Sequence, residues 1–390
     1  MEHFNHFHFL EYSFPNDMYI YWTLMIVLYP YITGLVAGAF IVSSLYHVFG
    51  KEELKPVAKF SLLMAFGFLL FASVPLLNHL GHPERAFNVM ITPNFTSAIS
   101  GFGFIYSTYA ILLMLEIWFV FRKDIILYSQ KTTGFLKFFY TTLTLGNFNV
   151  SDEAMKVDHK VVTILAAIGI PMACMLHGYV GFLFGAVKAN PWWSTPLMPV
   201  IFLLSAAVSG IAMLILLYII ASKFMKIDIH EECIRSLNKY LWAFLIADVT
   251  LEMLEILVLF YESGEEWEVI HYLLANELFY SFIIFQVFIC SIIPLIALGI
   301  VNILTLSFRV TLFTSLFSSL LLIFQVFLMR WNVVIGGQHF SKSFIGFKEY
   351  HPLFFEKEGI LATIIIFICP LIVIYILNRL FPNLKDNEEF

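Results

Sequence analysis

Long apolar stretches alternate with short polar segments along most of the chain. Nine of these stretches have about 18 apolar residues or more, the length at which an α-helix can cross a bilayer. Glycines and prolines occur inside them, as is typical of membrane helices. The pattern predicts an all-α polytopic membrane protein, a single integral membrane domain over residues 1–390 with about nine spans (eight to ten) at 20–49, 57–80, 98–121, 161–188, 197–222, 238–261, 276–304, 308–330 and 359–381.

The composition agrees with this pattern. Of the 390 residues, 60% are hydrophobic and 13% are charged, whereas a soluble domain carries about 25% charged residues. The segments between the predicted spans are too short to form a soluble domain. We therefore expect a lipid membrane around this protein, and no nucleic acid as a partner.

The distribution of basic residues predicts how the chain is oriented. With the N-terminus outside, the inner loops and the C-terminus hold 16 of the 22 Lys and Arg residues, and the outer segments hold six. Lys and Arg accumulate on the cytoplasmic side of membrane proteins. We therefore predict that the N-terminus lies outside and the C-terminus inside.

Three carboxylates lie inside the sixth predicted span, LWAFLIADVTLEMLEILVLFY. Asp248, Glu252 and Glu255 stand at i, i+4 and i+7, which places them on one face of a helix. Ionisable groups in a span are costly and point to a function, so we expect this face to line a bundle interior or a wet cavity. Two interpretations remain open: a proton relay, or a structural hydrogen-bonded cluster between helices.

One histidine, His177, lies deep in the fourth span, PMACMLHGYVGFLFGAVKANPWW. With the N-terminus outside, it falls in the outer half of the membrane, at a depth similar to that of Glu252 and Glu255. Such a residue can be a packed core histidine, a haem ligand or a hydrogen-bond partner for a quinone carbonyl. An imidazole also titrates near neutral pH, which suits proton exchange.

Redox cofactors are not expected in the chain itself. A b-type dihaem subunit needs four histidine ligands in two facing pairs, but only His177 lies deep in a span. The four cysteines are scattered without a CxxC pair, which argues against iron–sulfur and structural zinc sites. We expect no haem, no iron–sulfur cluster and no metal site.

Two outer segments are rich in polar residues and turn signals. They are PLLNHLGHPERAFNVMITPNFTSAISGFGF, with His79, Arg85 and Asn94, and RWNVVIGGQHFSKSFIGF, with Arg330, Trp331 and Gln338. Each segment can be an ordinary structural turn or part of a binding site. Polar residues thus converge on the outer half, whereas a transporter is expected to bind at the midplane between repeats. We find no internal repeat.

These motifs together resemble those of the NrfD/PsrC family. The segment LLNHLGHPERAFNVMITPNFTSAISGFGF resembles the family's leucine-glycine-x-proline-x-arginine loop with its following proline-asparagine and serine. The segment LHGYVGFLFGAVKANPWWSTPLMPVIFLLSAAVSGIAM is similar to its helix-four to helix-five region. FLMRWNVVIGGQHFSKSFIGF is similar to a signature near the C-terminus of its longer, DsrP- and HybB-like members. The resemblance covers most of residues 20–381, with one departure at Asn78, where the family often has an aspartate.

The resemblance implies a membrane subunit that exchanges two electrons and two protons with a quinone of the menaquinone or ubiquinone type. Electrons would pass to or from a ferredoxin-like iron–sulfur subunit docked on the outer face. That subunit would serve a further catalytic or cytochrome subunit in sulfur-compound or related anaerobic-type respiration. We expect a multi-pass protein of the cell (inner) membrane with a four-helix-bundle core around the quinone site.

The resemblance also implies roles for individual residues. A histidine at the position of His177 is similar to the quinone-site histidine of the family, and we expect it to face a cavity shared with the first and second helices. The family's helix acids imply proton transfer by Asp248, Glu252 and Glu255. We expect segment 330–347 to form the rim between the quinone pocket and the iron–sulfur subunit. The residues expected to bind the cofactor are His79, Arg85, Asn94, Arg330, Trp331 and Gln338.

Two other functions remain open from the sequence. An ion or proton transporter could use the sixth-span carboxylates, and proton translocation could also accompany quinone chemistry. A purely structural anchor would bind lipid where its relatives bind quinone. Co-purified quinone together with an iron–sulfur partner would favour the oxidoreductase, whereas a single chain with ion-dependent stability would favour the transporter.

Overall fold

The computed structural model describes residues 19–94, 96–262, 265–340, 347–381 and 384. Helices dominate these residues, and the one strand-like feature among them is an isolated bridge between Phe340 and Phe347. The predicted all-α class is therefore confirmed.

Ten helices define the architecture of the described residues. Helix α8 is π-helical over Phe279–Ile292 and α-helical over Ile293–Ile303, and α9 continues through a π-helical turn, Asn332–Gly336, to His339. The helices are α1 (Leu24–His47), α2 (Lys55–Ala72), α3 (Ala98–Lys131), α4 (Gly134–Leu143), α5 (Asp152–Gly185), α6 (Met198–Met225), α7 (Glu231–Glu262), α8 (Phe279–Ile303), α9 (Phe308–Trp331) and α10 (Ile360–Leu380).

Eight helices of the described residues are long and apolar enough to cross a membrane, and they coincide with eight of the nine predicted spans. The remaining predicted span, the sixth along the sequence at 238–261, falls inside α7. This helix has 32 residues, which is ample length, but Asp248, Glu252 and Glu255 make it more charged than its neighbours. The multi-pass membrane location is thus confirmed, and α7 is the polar helix of the bundle.

Four helices extend well beyond their predicted spans. Helix α3 runs to Lys131, α5 begins at Asp152, α7 begins at Glu231, and α9 reaches His339 through its π-helical turn. A hydropathy pattern ends where polar residues begin, whereas a helix can continue beyond the hydrocarbon core. The extension of α9 matters most, because it places Arg330 inside a helix rather than at its end.

Helix α1 lies at the centre of the bundle. In its most apolar 18-residue window 94% of the residues are buried, compared with 17% in α10. Small residues allow the close approach of α1 and α6: a Cβ atom at Gly38 would overlap Ala206 and Gly210. Helix α1 packs against α5, α6 and α9 around the polar interior.

An aromatic and amide layer closes the end of the bundle where α1 begins. Gln338 accepts a hydrogen bond from the Trp22 backbone N–H at 3.1 Å and donates one to the Trp22 carbonyl at 3.0 Å. The rings of Trp22 and Trp193 stack with centroids 5.0 Å apart. The Trp193 indole in turn donates to the Val333 carbonyl at 2.6 Å. This layer fixes the start of α1 against the end of α9, directly above the polar interior.

Candidate functional site

His177 of α5 and Arg330 of α9 meet in the interior of the bundle. Both side chains are fully buried, and Nη2 of Arg330 lies 3.1 Å from Nε2 of His177. Because the guanidinium can only donate, Nε2 accepts and the imidazole proton resides on Nδ1. Among the described residues that Nδ1 has no hydrogen-bond partner.

The guanidinium of Arg330 is held mainly by α6. Its Nη2 donates to Ser205 Oγ at 2.7 Å and to the Phe202 carbonyl at 3.2 Å. Its central carbon lies 3.7 Å from the centroid of the Phe202 ring, a cation–π geometry. The opposite charges that act on it are Asp248 and Glu252 of α7. A buried cation is costly unless it is paired and hydrogen-bonded. The Nη atoms of Arg330 are hydrogen-bonded, whereas its Nε has no partner among the described residues.

The three carboxylates of α7 share one face of the helix, as their spacing predicts. Asp248 is fully buried, and neither of its oxygens has a hydrogen-bond donor among the described residues. Glu252 is buried and Glu255 is partly exposed, and both line a cavity. The carboxylates therefore extend from the bundle interior to a cavity wall over about 10 Å of helix.

A chain of side-chain hydrogen bonds connects Glu252 to two other helices. Gln286 Nε2 donates to Glu252 Oε2 at 3.1 Å, and Asn332 Nδ2 donates to Gln286 Oε1 at 2.8 Å. Ser281 Oγ donates to Asn332 Oδ1 at 2.8 Å. Gln286 and Asn332 both belong to π-helical segments, a rare geometry that occurs frequently at functional sites.

The cavity beside these hydrogen bonds has mostly apolar walls and a few polar groups. It is small, about 30 Å³, which is room for one or two water molecules. A larger headgroup would enter only if wall side chains moved. The lining residues are Trp192, Met198, Ile201, Glu252, Glu255, Ile256, Leu259, Phe282, Gln286, Met329, Asn332 and Val333.

The cavity lies where α7 and α8 separate. Trp242 and Asn238 of α7 bond to Leu295 and Asn302 in the second half of α8. The π-helical first half of α8 packs on α9 instead. The cavity lies between these elements, toward the face at which α1 begins, and residues of α6, α7, α8 and α9 line it.

The cavity is therefore not the one expected from the sequence. His177 lies against Gly34 of α1 and Phe202 of α6, and it lines none of the described cavities. The cavity predicted between His177 and the first two helices stays a prediction. Met329 connects the two regions, since it lines the cavity while its sulfur accepts from Arg330 Nη1 at 3.0 Å.

The outer loop between α2 and α3 does not reach this site. His79 pairs with Glu358 at 2.8 Å, and Arg85 is 68% exposed beside Glu84. Asn94 is exposed and accepts hydrogen bonds from the backbone and hydroxyl of Thr96. Arg85 and Asn94 thus contact residues of their own loop, whereas His79 pairs with Glu358, far along the chain and just before α10. Their role in cofactor binding stays a prediction.

Of the residues predicted in 330–347, Arg330 joins the buried site, and two others lie in the closing layer. Trp331 contacts Tyr350, with ring centroids 5.7 Å apart, and Gln338 binds the start of α1. Neither lines the cavity. The predicted rim role of Ser341, Lys342 and Ser343 lies outside the described residues.

Sequence reasoning missed Gln286, Asn332, Ser205 and Trp192. A signal for Gln286 was present, since it is a lone amide in the apolar run FYSFIIFQVFICSI. Within the described residues, no group of three His, Cys, Asp or Glu side chains could hold a metal ion. The predicted absence of haem and of iron–sulfur clusters stays a prediction.

Comparison with known families and proteins agrees with the motifs. Residues 14–342 match the family model described as "Polysulphide reductase, NrfD". A selenate reductase subunit of Mesobacillus selenatarsenatis is 33% identical over 289 residues, which cover 72% of this protein and 67% of the relative.

Two further relatives are more distant. An NrfD homolog of Haemophilus influenzae is 24% identical over 336 residues, covering 84% of this protein and 98% of the relative. A polysulfide reductase polypeptide of Wolinella succinogenes is 27% identical over 197 residues, covering 50% of this protein and 56% of the relative. The similarity therefore extends over most of the sequence in some relatives and about half in others.

Proposed function

The protein belongs to the NrfD family, whose members are membrane subunits of quinone-linked oxidoreductases, and from this premise we propose that it exchanges electrons and protons with a quinone. The quinone headgroup binds at the cavity between α7 and α8, and the electrons pass to or from an iron–sulfur subunit docked at the face where α1 begins. The observation that carries this proposal is the cavity itself, at which carboxyl and amide groups meet apolar side chains.

The cavity suits an apolar ligand with two carbonyl groups. Small-molecule sites are mostly apolar, with a few placed polar groups that fix orientation. Here Trp192, Phe282 and Met329 supply apolar walls, and Gln286 and Asn332 supply amides. A quinone dissolved in the bilayer can approach from the side, where α7 and α8 separate. Rotation of the flexible Met329 side chain would enlarge the cavity toward Arg330.

We place His177 behind Met329 as the donor to one quinone carbonyl. Its Nδ1–H has no partner among the described residues, and its orientation is fixed by Arg330 and by the Phe202 ring. A fixed donor costs little reorganisation when a partly negative oxygen forms beside it. Arg330 would add positive charge at the same place.

The carboxylates of α7 are proposed to exchange the protons. Glu252 and Glu255 line the cavity, and Asp248 lies one turn deeper on the same face. Glu252 Oε1 has no hydrogen-bond partner among the described residues, so one oxygen of this group is free to take or give a proton. Water in the cavity would connect it to a bound quinone.

The partner is proposed to dock on segments 81–97 and 331–358. Several large apolar side chains there are exposed, including Phe87, Ile91 and Phe355 at 65%, 73% and 85%. Exposed apolar groups in clusters mark interaction surfaces. Since the protein is proposed to hold no redox centre of its own, a cluster in the partner must approach the cavity from this face.

Replacement of His177 by Ala tests the proposed quinone site. In membranes that contain the assembled complex, the initial rate of electron exchange with a short-chain quinone should fall by about five- to 150-fold. The reason is that a donor worth about 1–3 kcal/mol is lost. The matched control is His230→Ala, which removes an exposed histidine between α6 and α7 at the opposite face, and it should retain the wild-type rate.

Partner co-purification separates a lost site from lost assembly. We expect both variants to retain the partner, because neither His177 nor His230 lies in the proposed docking segments. A wild-type rate in His177→Ala would contradict the proposed site, and the 78–94 loop would then be examined first. Proton flux that continues without any quinone would favour the transporter instead.

A further inference from the structure

A second cavity, which is lined by charged and polar residues, opens at the opposite face of the bundle, where α1 ends and α2 begins. It has a volume of about 280 Å³, which is room for several water molecules. Four helices, α1, α2, α3 and α5, form its walls. The lining residues are Tyr46, His47, Lys55, Ala58, Lys59, Phe119, Val120, Lys123, Asp124, Met155, Asp158, His159 and Val162.

Two ion pairs connect the helices that form the walls of this cavity. Lys59 of α2 binds Asp124 of α3 at 2.7 Å, and Arg122 of α3 binds Asp158 of α5 at 2.7 Å. Each pair connects two different helices, and the charges that it pairs need no water to solvate them. The cavity is therefore part of how these helices pack, and its walls contain charged and polar side chains.

A buried carboxyl lies one turn deeper on the cavity-facing side of α3. Val120 and Lys123 line the cavity, and Glu116 precedes them by four and seven residues, so the three share one face of the helix. Glu116 is fully buried, and neither of its oxygens has a donor among the described residues. A buried carboxylate without a partner is costly, so this group must be protonated or reached by water.

Buried polar groups without partners also extend inward from the cavity along α1. His47 of α1 lines the cavity with its Nε2 buried and without a partner among the described residues. Ser43, one turn deeper, also has a buried hydroxyl without a partner there, and so does Tyr109, two turns beyond Glu116 on α3. Tyr109 and Glu116 stand seven residues apart and so share one face of α3. Unsatisfied polar groups therefore continue from the cavity into the bundle on two helices.

We propose that this cavity is an aqueous inlet through which protons from the face opposite the quinone site reach the carboxyl of Glu116. A proton from water in the inlet binds one carboxylate oxygen and forms the neutral acid, and the reverse step returns it. The cationic and titratable groups around the route are Lys55, Lys59, Lys123, Arg122, His47 and His159, with Asp124 and Asp158 as anions. The inlet goes beyond the proposed quinone function and does not depend on it.

Thiol labelling tests whether the inlet holds water. Val120→Cys places a thiol on the cavity wall, and the matched control Leu115→Cys places one on the same helix facing lipid, since Leu115 is 47% exposed and outside the cavity. Both are made in the full-length protein within its complex, in membrane vesicles of either orientation. The probe is a membrane-impermeant methanethiosulfonate, and the wild type gives the background of Cys174, Cys233, Cys290 and Cys369.

Val120→Cys should react at least about tenfold faster than Leu115→Cys, because a thiol in water forms the reactive thiolate and a thiol in lipid does not. It should do so only from the face at which α1 ends. Equal labelling of the two variants, or labelling from the other face, would overturn the inlet.

Infrared spectroscopy of Glu116→Gln tests the carboxyl itself. The wild type minus variant difference spectrum should contain the C=O band of a carboxylic acid, and this band should shift promptly in D₂O. Gln has nearly the same shape as Glu, so the variant should fold and keep its partner. A difference spectrum without this band, or a band that does not exchange with D₂O, would show that Glu116 takes no protons from the inlet.

Discussion

The buried site and the outer loop at residues 80–97 both contain charged and amide side chains, but their surroundings differ. Arg330 is fully buried and donates to two neighbouring helices and a sulfur atom, whereas Arg85 is 68% exposed and lies beside one carboxylate. Asn332 bonds through its side chain to two residues of α8, whereas Asn94 bonds only to Thr96, two residues away.

This difference teaches which polar residues carry information about function. A polar group in the outer loop can always bond to water, so its local contacts show only how the loop turns. A polar group inside the bundle has no water to replace a missing partner, so each contact must be provided by the fold. The partners that remain missing among the described residues, at His177 Nδ1, Asp248 and Glu252 Oε1, therefore point to a ligand or to protons.

The largest effect that would sharpen this comparison is expected for Arg330→Met against Arg85→Met. The change removes the positive charge that acts on Asp248 and Glu252, together with the hydrogen bonds that the guanidinium donates to α5 and α6. The free energy of unfolding should therefore fall by about 3–5 kcal/mol. The exposed control should change it by about 0.5 kcal/mol or less. Thermal unfolding of both purified variants in detergent gives the two values, and equal losses would refute the distinction.

A smaller effect is expected for Gln286→Leu. This change leaves Glu252 Oε2 and Asn332 Nδ2 without partners, which should lower the free energy of unfolding by about 1–3 kcal/mol. The control Asn276→Leu removes an exposed amide that bonds to its own helix turn. If both variants unfold at the same temperature, the series of hydrogen bonds contributes nothing to stability.

The smallest effect is expected on turnover rather than stability. Glu252→Gln keeps the shape and the hydrogen-bonding reach of the side chain but can no longer take a proton, so quinone turnover should fall about fivefold, equivalent to roughly 1 kcal/mol. The remaining rate should also depend less on pH than the wild-type rate. Glu84→Gln in the exposed loop is the control. An unchanged pH profile in Glu252→Gln would show that Glu252 is not a proton carrier.

How far the sequence predicts this protein depends on the range of the interactions involved. The stripe of Asp248, Glu252 and Glu255 follows from helical periodicity alone, and the structure places all three on one face. Arg330 was expected at a surface rim because the apolar pattern ends there. Helix α9 instead continues for nine residues to His339, about 13 Å of helix, and so carries Arg330 into the interior.

The sequence by itself determined the membrane class, eight apolar spans, the polar helix α7 and membership of the family. These features follow from local hydropathy, helical spacing and short motifs. Only the tertiary structure decided that His177 meets Arg330 across 153 residues, that Gln286 and Asn332 connect α7 to α8 and α9, and that the outer loop lies apart. The reason is physical: these contacts depend on π-helical turns and on small residues such as Gly34 and Gly38 that set how closely helices approach, and neither leaves a periodic signal in the sequence.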